Sequence, residues 1–160
     1  SNGMAGELGH TKVVPGGRLC TCGGHGCVEM YCSAKALERI AQTLFDPREL
    51  FQLGTRYAGA ALVIDQANAG HKGARAAMIE AFEYLGIALA NLVNLLSPQM
   101  LVLGGGVINA WPESIKVVSN IVERESSIEV PRQVQIVESV LQNDAGVLGG
   151  AALVSECINS

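Results

Sequence analysis

Two short stretches of this sequence, GELGH at residues 6–10 and CTCGGHGC at residues 20–27, decide how its N-terminal part folds. Three of the five cysteines lie between residues 20 and 27, and no other segment concentrates reactive side chains in this way. The candidate functional residues of this segment are Glu7, His10, Cys20, Cys22, Cys27 and Glu29. Their grouping predicts that the chain folds to bring them into one site.

The spacing of the cysteines is typical of a metal site. An odd number of cysteines in a tight group differs from the even, dispersed set of a secreted disulfide framework. Three cysteines with one histidine are a common zinc ligand set, and the loop glycines allow tight closure. We expect Cys20, Cys22, Cys27 and His10 to bind zinc. His25 is the rival fourth ligand, and a group of buried thiols without a metal is the plainer alternative.

Glu7, His10 and Glu29 are candidate polar groups of a pocket beside the cysteines. A straight strand would place Glu7 and His10 on opposite faces, but Gly6 and Gly9 permit a bend that turns both toward one cavity. Glu29 follows the last cysteine of the group by two residues, in the first turn of the next predicted helix. A first-turn glutamate also stabilises the helix dipole, so a purely structural role for Glu29 is an equal alternative.

Composition excludes several classes of protein. Hydrophobic residues make up 49% of the 160 residues and charged residues 16%, which is typical of a folded domain with a large core. The net charge of −4 and the scattered basic residues give no footprint for nucleic acid. No apolar run reaches the roughly 18 residues of a membrane span, and the N-terminus lacks the features of a signal peptide. We expect a cytoplasmic protein without a membrane partner.

Apolar spacing predicts a largely helical first half after one short strand at residues 12–14. The helical patterns cover residues 28–45, 48–69 and 74–96. The third pattern is apolar on most sides, which is typical of a central helix. Cys32 and Cys157 lie in helical patterns and are expected to be ordinary buried thiols.

The second half alternates strands and helices. The pattern predicts a buried strand ending in glycines at 100–107, a helix at 112–125, a strand at 134–139 and a helix at 145–157 capped by Asn143 and Asp144. This order predicts an α/β layer structure. A parallel sheet needs several strands with both faces covered, and no Met begins the chain, so we expect it to be part of a larger fold.

These motifs together resemble the ROK family, named for repressors, open reading frames and sugar kinases. The segment GELGH…CTCGGHGCVE matches the family's signature region, including the spacing of its zinc ligands. The segments NLLSPQMLVLGGGV at 94–107 and DAGVLGGAALV at 144–154 resemble two further family segments in the same order. The resemblance covers essentially the whole chain, but only the C-terminal half of a ROK protein.

The resemblance implies an actin-like (ribonuclease-H-like) ATPase lobe of α/β class over residues 1–160. Its sugar and zinc segment would be residues 1–32, and its nucleotide-side segment would be residues 98–160. Residues implied to contact the sugar are Glu7, His10 and Glu29, and those implied to bind a structural zinc are His10, Cys20, Cys22 and Cys27. The glycine turn resembles the family motif that lies beside the adenosine of the nucleotide; its residues are Gly104, Gly105 and Gly106. A close-packed strand-to-helix turn is the plainer explanation of these glycines.

Three functions remain open for the parent protein. It is a kinase that uses ATP and Mg²⁺ on a hexose or N-acetylhexosamine, a sugar-sensing repressor with a DNA-binding region upstream, or a zinc-stabilised interaction domain. The glycine turn favours the kinase, and the resemblance implies a homodimer. We expect no catalytic residue in this chain, because Asp46 and Asp144 lie at helix boundaries and Asp65 lies within a helical pattern, so none matches the family's base.

Overall fold

The structure, a computed structural model, describes residues 5–54, 58–127, 134–141 and 144–159, and of residues 53 and 156–159 the backbone alone. Within these ranges a 3-10 turn at Leu8–His10 precedes the helices and strands. The helices are α1 Glu29–Cys32, α2 Ala34–Leu44, α3 Pro47–Leu53, α4 Ala58–Asn68, α5 Lys72–Leu96, α6 Gly106–Ala110, α7 Ser114–Glu125 and α8 Ala145–Asn159. The strands are β1 Met100–Leu103 and β2 Gln135–Glu138.

Two of the predicted helices are each divided into two shorter helices. The helix expected at 28–45 is divided at Ser33, whose extended backbone and hydroxyl cap α2 by accepting a hydrogen bond from the Ala36 amide at 3.1 Å. The helix expected at 48–69 is interrupted at Gly54, which ends α3 in the left-handed conformation with φ of 63°. Asp46 begins α3 by accepting from the Arg48 amide at 2.7 Å, as its predicted place at a helix boundary requires.

The long helix α5 lies at the centre of the main core, as its apolar pattern predicted. It packs against α1, α2, α4 and α7. Ten of its 25 residues are buried. Phe82 of α5 and Trp111, both almost fully buried, are in tilted contact with ring centroids 4.9 Å apart, so α5 packs against the segment between α6 and α7.

Helix α5 also meets the length and apolar composition of a membrane-crossing helix. The expectation that no segment of the sequence could do so is therefore wrong. This is weak evidence for a membrane, because the core helix of a soluble protein passes the same test, and α5 lies against four other helices.

The two strands form a parallel pair, with Met100 beside Gln135 and Leu103 beside Glu138. Helices α6 and α7 connect them. The prediction that the first strand is buried is only partly correct, because Leu101 is buried while Val102 is 59% exposed. One face of this small sheet has no covering layer among the described residues. Parallel sheets are usually covered on both faces, so this open face is typical of a sheet that packs against further elements.

Two further predictions fail or fall outside the described part of the chain. The strand expected at residues 12–14 is reduced to an isolated antiparallel bridge between Lys12 and Cys27. Asp144 directly precedes α8, as expected at a helix boundary, whereas Asn143 and the side chain of Cys157 lie outside the described residues. Helix α8 is exposed over residues 145–155.

Candidate functional site

A loop between residues 12 and 28 holds the cysteines, and backbone hydrogen bonds fix its shape. The Cys20 amide donates to the Gly24 carbonyl at 2.7 Å, and the Val28 amide donates to the Thr11 carbonyl at 3.0 Å. Gly23 and Gly26 adopt positive φ values of 83° and 75°, which only glycine adopts at little cost. The loop therefore folds back on itself, with Cys20 and Cys27 buried and Cys22 exposed.

His10, Cys20, Cys22 and Cys27 form a group that could hold a metal ion. Their four candidate ligand atoms lie within 4.8 Å of one another. Cys20 Sγ lies 3.5 Å from His10 Nδ1, and Cys22 Sγ lies 3.6 Å from Cys27 Sγ. A tetrahedral zinc ion with ordinary bond lengths would place two sulfurs about 3.8 Å apart and a sulfur and a nitrogen about 3.6 Å apart. The donor set and these two distances fit zinc, and His25 is not part of the group.

Two thiols of this group, those of Cys20 and Cys27, have shifted pKa values. A hydrogen bond from the Cys22 backbone lowers the pKa of Cys20 to about 6. For Cys27, the hydrogen bond from Lys12 lowers the pKa, but burial and the neighbouring Cys22 and Cys20 sulfurs together outweigh it, so the pKa is raised. Thiolate is the metal-binding form of cysteine, and the low pKa of Cys20 favours that form at neutral pH.

Glu7, His10 and Glu29 lie together beside the cysteine group. The 3-10 turn begins after Glu7, whose carbonyl accepts from the His10 amide at 3.0 Å, and this turn provides the bend that the glycines permit. His10 Nε2 lies 3.8 Å from Glu7 Oε2, and His10 Nδ1 lies 3.7 Å from Glu29 Oε2. Glu29 is in the first turn of α1, as predicted. One imidazole therefore lies between two carboxylates, with its Nδ1 also toward Cys20.

The glycines after β1 form a tight turn into α6. Gly105 has φ of 112°, and its amide donates to Asn109 Oδ1 at 3.1 Å. Asn109 Nδ2 donates to Glu138 Oε1 at 2.5 Å, which links the turn to the end of β2. A Cβ at Gly104 would lie 3.1 Å from the Cβ of Ser139, so this position is closely packed, whereas a Cβ at Gly106 would meet open space.

Gly106 borders a cavity of about 290 Å³. The other walls of this cavity come from the start of α2, one face of α4 and the rest of α6: Ala34, Ala60, Ala61, Ile64, Asp65, Val107 and Ala110. The lining is apolar except for Asp65. The alternative explanation, a close-packed strand-to-helix turn, therefore applies to Gly104. Gly105 and Gly106 have open space beside them.

Two residues of these sites were missed in the sequence. Lys12 donates to Cys27 Sγ at 2.8 Å, and Asn109 fixes the glycine turn. A lysine opposite a cysteine 15 residues away follows no periodic pattern, so no signal in the sequence identifies it. Asn109 was detectable in principle, because an asparagine four residues after a glycine turn often bonds back to the backbone.

In fold, the chain resembles ROK sugar kinases, which are proteins of the actin-like ATPase class. It superposes on the crystal structure of a ROK family glucokinase from Streptomyces griseus in complex with glucose and AMPPNP, with a TM-score of 0.77 and 30% identity over 93% of this chain and 51% of that one. The sequence matches the profile of the ROK family over residues 1–157. The chain therefore belongs to the ROK family.

Its relatives include both enzymes and regulators. The chain is 38% identical to a glucokinase of Halalkalibacterium halodurans over 99% of this chain and 50% of that protein. It is 30% identical to a xylose repressor of Caldicellulosiruptor bescii over 95% of this chain and 39% of that protein. The chain thus spans about half the length of the glucokinase, and both a glucokinase and a repressor match it over almost its whole length.

Proposed function

We propose that the chain is the C-terminal lobe of a ROK sugar kinase, which phosphorylates a hexose or N-acetylhexosamine with ATP in the intact parent protein. In this proposal residues 1–32 form the sugar and zinc segment, and residues 98–160 form the nucleotide side. The glucokinase named above supports it, since it matches 99% of this chain. The observation that carries it is the His10 imidazole between the carboxylates of Glu7 and Glu29.

The chemistry of this group suits a polyol. Two carboxylates offer several acceptor positions to hydroxyl groups, and an imidazole nitrogen donates or accepts one further hydrogen bond. The side chains of His10 and Glu29 are each 34% exposed and that of Glu7 is 71% exposed, so all three are accessible to a ligand. We assign Glu7, His10 and Glu29 to the sugar.

Zinc is the proposed resident metal, bound by His10, Cys20, Cys22 and Cys27. Four protein ligands leave no open position for water, so the ion has a structural role. Because His10 Nδ1 lies toward Cys20, its Nε2 remains on the side of Glu7. A metal bond at Nδ1 would fix the orientation of the ring and leave Nε2 for a sugar hydroxyl.

The nucleotide side of the proposal consists of Gly104, Gly105 and Gly106. The open space beside Gly106 and the adjoining cavity of about 290 Å³ would let the nucleoside part of ATP approach the backbone. A crevice at the carboxyl end of a parallel strand is a usual place for a ligand in α/β folds. Mg²⁺ would accompany ATP in the parent protein.

No catalytic residue is assigned within this chain. Asp46 caps α3, Asp65 lies in α4 and Asp144 precedes α8, so none of them is in the sugar group. We therefore expect the isolated chain to phosphorylate no hexose in a coupled ATP assay. A cytoplasmic location and a homodimeric state also remain predictions.

The test of the sugar site is binding of glucose and N-acetylhexosamines to the intact parent by calorimetry, with Glu29→Gln as the variant. We expect about 10- to 100-fold weaker binding, because loss of a charged hydrogen-bond partner costs roughly 1.5–3 kcal/mol. Zinc content, measured by mass spectrometry, stays at one ion per chain. Glu49→Gln, an exposed first-turn glutamate of α3, is the matched control.

His10→Ala is the second variant of this experiment. It removes a zinc ligand and a sugar contact together, so both zinc content and sugar affinity should fall. Normal sugar binding by Glu29→Gln, or retention of both zinc and affinity by His10→Ala, would show that the shared-histidine pocket is wrong. The loop would then be a fold-stabilising device, as in the interaction-domain hypothesis.

A repressor is the second candidate, favoured by the identity of 30% to the xylose repressor over 95% of the chain. The sugar site would then serve as a sensor, and nucleic acid would bind through a region outside this chain. AMPPNP separates the two functions. A kinase binds it in the presence of Mg²⁺, whereas a repressor lobe has no need to bind it.

A further inference from the structure

Lys12 contacts two of the residues that we assign to zinc. Its Nζ donates to Cys27 Sγ at 2.8 Å and to the main-chain carbonyl of His10 at 3.2 Å. Within the described part of the chain, it is the only lysine or arginine that is hydrogen-bonded to a sulfur of the cysteine group. One side chain therefore joins the histidine and cysteine ends of the ligand set.

The backbone holds Lys12 in this position. Lys12 and Cys27 are paired in an isolated antiparallel bridge, and the next residue along, Val13, donates to the Gly26 carbonyl at 2.9 Å. A Cβ at Gly24 would lie 2.5 Å from Lys12 Nζ, so the absence of a side chain at this glycine leaves room for the ammonium. The Lys12 side chain is exposed, and the pairing of its backbone with Cys27 is what places it beside the cysteine group.

Lys12 supplies a positive charge beside the thiolates of the zinc site. A zinc dication bound to three thiolates and a neutral imidazole keeps one uncompensated negative charge. An ammonium group that donates to one thiolate neutralises this charge and reduces repulsion among the sulfurs. Partners in the outer shell of a metal site orient the ligands and tune the affinity for the metal.

We propose that Lys12 is a positioning residue of the zinc centre, which holds Cys27 and the His10 main chain in place and balances the charge of the three thiolates. This inference extends the zinc site of the proposed function to a residue outside the ligand set. Lys12 does not contact the metal itself, and its effect is exerted through Cys27 and His10.

The test compares Lys12→Met, which removes the charge and the donor, with Lys12→Arg, which keeps both. Lys116→Met, an exposed lysine of α7, is the matched control for the change in charge and size. Zinc affinity is measured by competition with a chromophoric chelator. We expect about 10- to 100-fold weaker zinc binding for Lys12→Met, substantial recovery in Lys12→Arg, and wild-type affinity in Lys116→Met.

Cobalt substitution gives a second readout that general stability does not affect. A hydrogen bond to a thiolate lowers the energy of its lone pair, so loss of the Lys12 donor should move the sulfur-to-cobalt charge-transfer band to longer wavelength. Lys12→Arg should keep the band near its wild-type position. If Lys12→Met does not fold, Lys12→Gln takes its place in both measurements.

The outcomes distinguish a failure of the Lys12 proposal from a failure of the zinc-site proposal. Wild-type protein that binds no zinc would end both proposals. Wild-type protein that binds zinc, with Lys12→Met equal to Lys116→Met in affinity and in cobalt spectrum, would overturn the role of Lys12 alone. An arginine variant as weak as the methionine variant would also contradict it, because charge and donor are then not what the site requires.

Discussion

Cys32 and Cys20 carry the same thiol in different surroundings. The backbone of Cys22 lowers the pKa of Cys20 to about 6, whereas burial raises the pKa of Cys32 to about 12. Cys32 packs against the main core, and its Sγ donates to the Val28 carbonyl at 3.4 Å. At neutral pH the Cys20 thiol is therefore largely ionised and reactive, whereas the Cys32 thiol stays protonated.

Cys32 should resist alkylation in the folded protein. With its pKa raised from an ordinary value near 9 to about 12, the thiol stays protonated at pH 8–9 and reacts slowly, because the thiolate is the nucleophile. Iodoacetamide labelling followed by peptide mass spectrometry measures this, with guanidinium-unfolded protein as the control. Labelling of native Cys32 at the unfolded rate would contradict the prediction.

The same shift has a consequence for stability at high pH. Because the folded pKa is raised, the neutral thiol contributes to stability fully below about pH 9, and this contribution is lost as pH rises toward 12. Replacement of Cys32 by alanine should therefore flatten the loss of stability over this alkaline range. Urea unfolding at a series of pH values follows it.

Sequence reasoning at this scale succeeded where spacing carries the information. The structure brings Cys20, Cys22 and Cys27 together with His10 and not with His25, as the spacing predicted, and metal binding by this group stays a prediction. The contact of Lys12 with Cys27 and that of Asn109 with Glu138 were missed because the partners are distant in sequence, whereas the local bond between Asn109 and the Gly105 amide was detectable. The two distant contacts depend on how the loop and the sheet close, and local patterns do not contain that information.

Among the elements, the predicted helices at 74–96 and 112–125 end where α5 and α7 end, but apolar periodicity missed two breaks inside longer segments. Ser33 and Gly54 each divide a segment that was predicted as one helix. Periodicity is averaged over several turns, whereas a cap is decided by one residue. The signals were present, since serine is a preferred N-cap and glycine is the usual residue after a helix end.

The cysteine loop should depend on Gly26 more than on Gly23. Both have positive φ, so alanine at either position costs roughly 1–2 kcal/mol in backbone strain. A Cβ at Gly26 would also overlap the Val14 carbonyl, whereas a Cβ at Gly23 meets open space. We expect Gly26→Ala to lose roughly 1–3 kcal/mol more stability than Gly23→Ala and to release zinc more readily.

Denaturant unfolding and chelator competition on the two variants measure this difference. Gly23→Ala controls for the conformational strain that the two positions share. Equal losses in the two variants would mean that the loop relaxes around Val14, and that its close packing does not hold the metal group in place.

At the scale of the whole molecule, the apolar residues are divided between a closed core and open faces. The core around α5 is well packed, with Phe82, Met78 and Val93 almost fully buried. By contrast, Val102 on β1 and most of α8 are exposed. Periodicity in the sequence predicted the core. It could not show that the described residues leave one face of the sheet uncovered, because that depends on which elements fold together.

The chain should self-associate through its exposed apolar residues. On α8, Val147 is 75% exposed and Val154 is 59% exposed. These two residues are seven positions apart and therefore lie on one helix face. Contiguous apolar area of this kind tends to find a partner, and a second copy of the chain offers the same face. We expect a concentration-dependent dimer or larger species by light scattering and sedimentation.

The variant Val147→Lys/Val154→Lys should weaken this association at least tenfold, or by about 1.4 kcal/mol, since each lysine introduces a charge into the contact and repels its copy. Phe51→Lys is the matched control, because Phe51 is 88% exposed on α3 and lies away from α8 in sequence. If the wild-type chain stays monomeric at high concentration, the exposed face of α8 does not drive association. If the Phe51 variant dissociates as readily as the α8 variant, the effect comes from net charge and not from the helix face.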